Sequence, residues 1–249
     1  MRQRDAALRV VDELVQRGDV VVDIGAAEGV YAARLSQIVG RRGHVHAFEP
    51  NPILFSVLEA RTGRRSNVTR HGLGLSDQSG QAELHVPIWE GERLYGMGSV
   101  SVPAARADIE HGALSVRLDR LDAALSDEDR PVAFVKCDVE GHELAVLRGG
   151  EKTLSRWLPR MLIEIEQRHQ DGSIQPTFGY LEELGYVGYS LGPDGLRPLD
   201  EFNLERDQLA FLSSGFEHIP ADGYVHNFVF VPPATDVTRL LADGAGAAH

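Results

Sequence analysis

The stretch VVVDIGAAEGVY, residues 20–31, contains the strongest indication of the fold. A run of β-branched residues that leads into Asp23 and Ile24 predicts a buried strand, and the small residues after it predict a tight turn into a helix. In an open α/β sheet ligands bind at such turns, because the helix N-terminus offers unpaired N–H groups. The turn between Gly25 and Gly29 is therefore either only a tight connection or a surface on which a ligand rests.

The rest of the chain repeats this alternation of strand and helix. Apolar runs in GHVHAFEP (residues 43–50), PVAFVKCDVEG (131–141) and RMLIEIEQ (160–167) predict strands with helical segments between them. The pattern predicts an α/β fold, a doubly wound and mostly parallel sheet of the Rossmann type. The late strands in YVGYSL and YVHNFVFVP predict an antiparallel edge.

Glycines and small residues divide the chain into segments. Residues 1–18 predict an N-terminal helix that ends at Gly18, and residues 19–233 predict a single domain. Within this domain, the Gly- and Ser-containing stretch 89–112 interrupts the periodic pattern and is predicted to be an active-site loop. The tail 234–249, which ends in ADGAGAAH, is predicted to be disordered.

Composition excludes several classes of protein. The chain has 249 residues, a formal net charge of −12 and one cysteine, so neither a disulfide framework nor a basic nucleic-acid-binding face is expected. It has no basic-then-apolar leader and no apolar run of about 18 residues, which predicts a cytoplasmic protein without a membrane span. The expected partners are a small-molecule or oligosaccharide acceptor and a second copy of the chain in a homodimer.

Acids at the ends of the first two strands indicate the cofactor. The turn GAAEGV lacks the G-x-G-x-x-G of a dinucleotide site, and Asp23 would repel a pyrophosphate, which disfavours an NAD-dependent oxidoreductase. Glu49, at the end of HAFEP, lies where an acid accepts hydrogen bonds from a ribose diol. A ribose acid without a phosphate site predicts S-adenosylmethionine, whose charge is a sulfonium and an α-ammonium group. The alternative is that Asp23 caps a helix and Glu49 is a solvated strand end.

Five segments now reveal a family resemblance. VVDIGAAEGVY, HAFEPNP, GLSDQSG, VRLDRL and FVKCDVEGHELAVLRGG occur in the order typical of FkbM-type methyltransferases, which the chain resembles from about residue 20 to 166. The resemblance implies a class I methyltransferase fold and transfer of the methyl group of S-adenosylmethionine to hydroxyl groups, often on sugars or polyketide-derived products. The family often has Asn in its glycine turn, where this chain has Ala27.

The resemblance also implies the cofactor contacts. Asp77 would lie near the adenine, with a plain turn as the alternative, and Ser99 would belong to a small-residue loop, with a flexible linker as the alternative. The cofactor-binding residues are expected to be Asp23, Gly25, Ala26, Gly29, Glu49, Pro50, Asp77, Ser99 and Asp138.

The segment CDVEGHE places polar groups directly after a buried strand, where charged groups pair or bind a ligand. We expect Asp138, Glu140 and His142 to be catalytic. The ordinary pKa of histidine, about 6.5, suits His142 as the base that accepts the hydroxyl proton. A solvent contact in the first helical turn is the alternative, and His169 is a weaker candidate for the base.

The next strand adds acids to the same edge. Asp138, Glu164 and Glu166 offer oxygen ligands of the kind that Mg²⁺ prefers, so a magnesium ion is expected to activate the acceptor. The alternative is that Lys136 and nearby arginines neutralise these acids. Trp89 and Tyr95 are candidates for stacking on a sugar face.

These features predict an S-adenosylmethionine-dependent O-methyltransferase that acts on a sugar hydroxyl of an oligosaccharide, glycolipid or glycosylated natural product. One alternative keeps the cofactor and changes the acceptor to a polyketide or phenolic hydroxyl. Another is a non-catalytic Rossmann-like module that binds a nucleotide, which the acid-rich segment CDVEGHE disfavours.

Overall fold

The computed structural model describes residues 2–103, 108–212 and 223–241. The α-helices in these ranges are α1 (Arg2–Leu14), α2 (Val30–Val39), α3 (Pro52–Thr62), α4 (Leu121–Ala124), α5 (Glu143–Gly149), α6 (Glu151–Trp157), α7 (Gln175–Glu183) and α8 (Leu204–Asp207). The strands are β1 (Val20–Ile24), β2 (His44–Phe48), β3 (Val68–His71), β4 (Gly74–Leu75), β5 (Gly80–Trp89), β6 (Glu92–Arg93), β7 (His111–Asp119), β8 (Val132–Cys137), β9 (Arg160–Glu164), β10 (Val187–Gly192), β11 (Gly195–Pro198) and β12 (Asn227–Val231). None of these helices is long and apolar enough to cross a bilayer.

The main sheet has eight strands in the order β11-β10-β12-β9-β8-β1-β2-β3. The five strands from β9 to β3 are parallel, whereas β12, β10 and β11 form an antiparallel edge. The predicted α/β fold, a doubly wound and mostly parallel sheet, is therefore confirmed. The chain order reverses at β1, whose neighbours are β2 and β8, and ligands bind at such a switch point in open α/β sheets.

Two hydrophobic cores cover the two faces of this sheet. Alternate residues of β1 point to opposite faces, so that Val20, Val22 and Ile24 belong to one core and Val21 to the other. The second core also contains the apolar face of α1, through Val10. The N-terminal helix, predicted over residues 1–18, ends at Leu14 and is packed into the domain.

The end of the described chain corrects one expectation. Residues 234–241 were expected to belong to a disordered tail, but Val237 and Leu240 are buried in the core that includes α1. Leu241 also forms a bridge with Leu196 of β11. These apolar side chains share a core with α1, so their burial removes them from water. Residues 242–249 lie outside the described residues.

A second sheet, in the order β4-β7-β5-β6, corrects the predicted loop over residues 89–112. Trp89 ends β5, the residue pair of β6 turns back onto it, and β7 begins at His111. Strands β5 and β7 pair antiparallel along eight residues around a small core of Leu84, Val86 and Val116. The stretch is thus partly strand, and Tyr95 and Val100 within it pack against this small core. Residues 104–107 lie outside the described residues.

Candidate functional site

The turn after β1 packs closely against the end of β8. Gly25 has a φ of 71°, and a Cβ added to it would lie 1.8 Å from the backbone oxygen of Asp138. The N–H groups of Gly25 and Ala26 donate to the carbonyl oxygen of Phe48, at 3.0 and 2.9 Å. Only glycine fits at position 25, because the position requires both a left-handed backbone and no side chain. This packing brings the ends of β1, β2 and β8 to one rim.

Two adjoining cavities open along this rim. The first, which we call the inner cavity, has an open volume of about 670 Å³ and lies between the glycine turn and the second sheet. Its lining includes Ala27, Phe48, Glu49, Pro50, Leu54, Leu75, Leu118, Val139, Glu140 and His142. The second, the outer cleft, has an open volume of about 1560 Å³ and is lined by groups that include Ala26, Glu28, Tyr31, Lys136, Glu164, His226 and Asn227. The residues that line both are Gly25, Ala27, Leu54, Tyr95, Gly96 and Asp138.

Glu49 is a buried acid of the inner cavity. Its side chain is 5 % exposed, which rules out a solvated strand end. Oε2 accepts the N–H of Ala27 and Oε1 accepts the N–H of Asn51, both at 2.8 Å. Burial raises the pKa of Glu49 to about 7 although both N–H groups act to lower it. Glu49 therefore joins the glycine turn to the start of α3 and presents a carboxylate to the cavity.

Lys136 lies between the two acids of the rim. Its Nζ is 2.9 Å from Oδ2 of Asp138 and 4.8 Å from the centre of the Tyr31 ring. Burial acts to lower the pKa of Lys136, but the charges of Asp138 and Asp23 outweigh it and raise this pKa. Asp23 is fully buried, and burial raises its pKa to about 6 against the influence of Lys136. The rim thus contains a buried ammonium group that is paired with Asp138 and lies within the electrostatic reach of Asp23.

His142 lies at the inner cavity, at the start of α5. Its Nε2 is 2.9 Å from Oγ of Ser76, and burial lowers its pKa. The structure therefore brings Asp138, Glu140 and His142 together along one wall, as the sequence predicted for the catalytic group. His142 does not line the outer cleft.

Glu140, Glu166 and His169 form a compact cluster below the rim. His169 Nδ1 is 2.7 Å from Oε2 of Glu140, and its Nε2 is 3.3 Å from Oε1 of Glu166. Arg168 Nε lies 2.7 Å from Oε2 of Glu166, to which the hydroxyl of Tyr224 also donates. Burial acts to lower the pKa of His169, but the two carboxylates raise it to about 9. At neutral pH the cluster holds an imidazolium between two acids.

This arrangement does not fit the predicted magnesium site of Asp138, Glu164 and Glu166. Asp138 is paired with Lys136, and Glu166 is held by Arg168, Tyr224 and His169. Burial and the charge of Asp138 raise the pKa of Glu164 well above its ordinary value, which favours its uncharged form. A metal site needs several ligand atoms close to one another. In the described part of the chain, Glu140, Glu166 and His169 are the group whose candidate ligand atoms all lie within 4.8 Å of one another. The charge of His169 disfavours a metal there.

Three more residues were predicted to contact the cofactor: Asp77, Ser99 and Gly29. Asp77 is half-buried, and its Oδ1 accepts from the hydroxyl of Ser76 at 3.2 Å. Ser99 is buried and donates to the carbonyl oxygen of Glu140 at 2.7 Å, which ties the second sheet to the turn after β8. Gly29 packs on Leu58 of α3. None of these three lines either cavity, whereas the neighbours of Ser99, Gly98 and Val100, line the inner one.

The sequence analysis missed His226 and Tyr31, both of which line the outer cleft. Strand β12 runs antiparallel to β9, with Asn227 opposite Glu164, so the residue before β12 lies at the rim. The predicted antiparallel edge could have indicated the position of His226, because an antiparallel strand begins beside the carboxyl end of the parallel strand with which it pairs. The aromatic residue Trp89, a predicted sugar contact, lines neither cavity.

Comparison with known proteins identifies the family of the chain. Residues 23–188 match the methyltransferase FkbM domain. The chain belongs to this family. It is 29% identical over 151 residues to the hexuronic acid methyltransferase AglP of Haloferax volcanii, a match that covers 60% of this chain and 57% of AglP. The resemblance drawn from the sequence motifs is confirmed.

Solved structures resemble the fold at low sequence identity. The methyltransferase FkbM from Methylobacillus flagellatus KT has a TM-score of 0.50 and 18% identity, covering 85% of this chain and 43% of that chain. This likeness shows a shared fold, the class I methyltransferase fold. Aeropyrum pernix fibrillarin, solved with bound S-adenosyl-L-methionine, has a TM-score of 0.49 and 15% identity, covering 88% of this chain and 68% of that chain. The chain spans about half the length of AglP and of the Methylobacillus protein.

Proposed function

We propose that the protein transfers the methyl group of S-adenosylmethionine to a hydroxyl group of a sugar, in an oligosaccharide, a glycolipid or a glycosylated natural product. The observation that carries the proposal is the junction of the two cavities at Asp138, with the buried carboxylate of Glu49 on the inner side. Membership of the FkbM domain family and the likeness to a methyltransferase named for a sugar acid support it.

The inner cavity fits the adenosine part of the cofactor. Phe48, Leu75 and Leu118 give it apolar walls for a base, and Glu49 gives it an acceptor for a ribose diol. Each oxygen of Glu49 accepts one backbone N–H, and a carboxylate oxygen has a second lone pair for a ribose hydroxyl. The cofactor supplies a methyl group bonded to a positively charged sulfur. Among the described lining residues Asp138 is the acid common to both cavities, and we expect such a charge at their junction.

The outer cleft fits a neutral sugar. It offers an aromatic ring at Tyr31 together with hydrogen-bonding groups at Asn227 and Glu164. Lys136, the cation among its described lining residues, is already paired with Asp138, so that lining leaves no unpaired cation for the carboxylate of an acidic sugar. AglP is named for hexuronic acid, and we propose an uncharged hydroxyl acceptor for this chain instead. We include no metal in the reaction, because Asp138 and Glu166 are already paired with basic side chains and the raised pKa of Glu164 favours its uncharged form.

Binding of S-adenosylhomocysteine tests the cofactor assignment. Calorimetry should show binding, and Glu49→Gln should weaken it by about 1–3 kcal/mol, because a buried donor is then left without its charged acceptor. Glu59→Gln, at an exposed position of α3, is the matched control and should keep the affinity of the wild type. Equal affinities in the two variants would contradict the ribose assignment. Labelled S-adenosylmethionine and a panel of neutral sugars, uronic acids and phenols then test the transfer itself.

A further inference from the structure

His142, His169 and His226 line pockets at this edge of the sheet, and they differ in what holds their rings. The ring of His142 is bonded to Ser76 and lines the inner cavity, away from the outer cleft. The ring of His169 lies between two carboxylates and is protonated at neutral pH. The ring of His226 makes no hydrogen bond to any residue that the structure describes, and its Nδ1 is buried without a partner. A polar ring left without a partner in a cleft is suited to a bound ligand.

The position of His226 places it beside the expected reaction. It precedes β12, and its carbonyl oxygen accepts the N–H of Ile165 at 2.8 Å, which fixes this backbone against the end of β9. It lines the outer cleft together with Asp138 and Glu164, and the same cleft reaches the glycine turn at Gly25. The ring of Tyr224 packs against it, with a distance of 5.8 Å between ring centres. The histidine is thus held by its backbone and lines the cleft, with Nδ1 of its ring buried.

The charges around His226 favour a neutral ring at neutral pH. Burial lowers its pKa, and the nearby charges of Arg168 and His169 act in the same direction. Glu166 and Asp138 act to raise the pKa, but less than burial lowers it. The neutral form of imidazole is the form that accepts a proton.

We propose that His226 is the general base that removes the proton of the acceptor hydroxyl. This inference rests on the proposed methyl transfer to a hydroxyl group. As the hydroxyl oxygen forms a bond to the methyl carbon, the carbon–sulfur bond breaks and its electron pair remains on sulfur as a neutral thioether. The hydroxyl proton passes to the imidazole of His226, and the imidazolium then releases it to water. Lys136 and Asp138, which line the same cleft, have opposite charges and are paired, so this pair adds no net charge to the cleft.

The test is the pH dependence of methyl transfer by His226→Gln. General-base catalysis contributes about 10²–10⁴-fold, so kcat should fall by that order while KM for S-adenosylmethionine stays unchanged. In the wild type, kcat should fall as the pH drops below the pKa of His226, because the ring is then protonated, and the variant should lose this acidic limb. His44→Gln, on the amino end of β2 beside Thr69, should keep the wild-type profile.

His142→Gln separates the two candidate bases. Loss of the acidic limb in this variant, with the limb retained in His226→Gln, would overturn the proposal. A wild type that binds S-adenosylhomocysteine but methylates none of the acceptors would count against the proposed function instead. In that case, NMR of protein labelled with [¹⁵N]histidine still tests His226. Its ring resonances, assigned with His226→Gln, should shift when S-adenosylmethionine saturates the site, and unshifted resonances would overturn the assignment.

Discussion

At the scale of single residues, Lys136 is the group on which the electrostatics of the rim depend. It is 5 % exposed and is the cation that faces both Asp23 and Asp138. Removing one partner of a buried ion pair leaves a buried charge without compensation. Lys136→Met should therefore lower the free energy of unfolding by about 3–5 kcal/mol.

Urea unfolding at pH 7 measures this loss. The matched control is Arg34→Met, which breaks the exposed pair with Asp12 and should cost no more than about 1 kcal/mol. If the free energy of unfolding falls equally in the two variants, the buried pair of Lys136 contributes no more to stability than an exposed pair.

The pairing of Lys136 with Asp138 was foreseeable from the sequence, whereas that of Glu140 with His169 was not. Residues two apart on a strand point to the same face, so K-x-D at the end of a strand allows an ion pair. The contact of Glu140 with His169 depends on the turn at Gly141, where an added Cβ would lie 2.3 Å from the carbonyl oxygen of His169. Such an approach of two loops belongs to tertiary structure, and no local pattern indicates it. The magnesium prediction did not fit because Lys136 pairs with Asp138, and because Arg168, Tyr224 and His169 hold Glu166.

At the scale of elements, the turn between β1 and α2 sets the geometry of the site. Gly25→Ala should cost about 1–2 kcal/mol for the left-handed backbone and a further ~1–3 kcal/mol for the contact with the oxygen of Asp138. Gly18→Ala is the matched control, because Gly18 has a φ of 95° and no atom within 4 Å of an added Cβ. Gly18→Ala should lower the free energy of unfolding by only about 1–2 kcal/mol, the cost of the left-handed backbone.

Unfolding in urea and binding of S-adenosylhomocysteine report on both variants. Gly25→Ala should also lose affinity, since the turn lines both cavities, and Gly18→Ala should not. Equal losses of stability would mean that the turn can move away from β8 without cost.

The elements themselves were predicted unevenly. The strands β1, β2, β8 and β9 were evident because buried parallel strands are continuous apolar runs. The second sheet was not, because β6 has two residues and the stretch 89–112 contains glycines that resemble a loop. β6 pairs with β5, so the signal is in the partner strand and not in the stretch itself.

At the scale of the whole molecule, the site lies between the two cores at the one edge where strand ends converge. The sequence predicted that edge, because parallel strands that alternate with helices must end together. It did not predict that residues 234–241 close the core beside α1, since the helical spacing of Val237, Leu240 and Leu241 spans little more than one turn, which is too short for a periodic signal. The buried ionisable groups at this edge of the sheet determine how the free energy of unfolding depends on pH.

The cluster of Glu140, Glu166 and His169 predicts how the stability of the whole protein changes with pH. The pKa of His169 is about 9 in the folded state and about 6.5 when unfolded, so its protonation stabilises the fold below pH 6.5. This contribution is lost as the pH rises through 9, because the folded state then gives up a proton that the unfolded state has already released. The free energy of unfolding should fall by about 1.5–2 kcal/mol between pH 7 and 8.5. Glu49 and Glu143, with pKa values raised to about 7 by burial, add a smaller loss of the same sign.

Urea unfolding of the wild type and of His169→Gln at several pH values from 6.5 to 9 isolates the histidine. The variant should be less stable at pH 6.5 and should lose less free energy on going to pH 8.5, because glutamine donates a hydrogen bond but carries no titrating charge. His44→Gln is the control, since burial lowers the pKa of His44 and its proton is gone in both states above pH 7. This control should retain the wild-type slope. A wild type whose stability rises or stays level over this range would mean that His169 is neutral in the fold, and Glu140 and Glu166 would then be free to hold a cation of another kind.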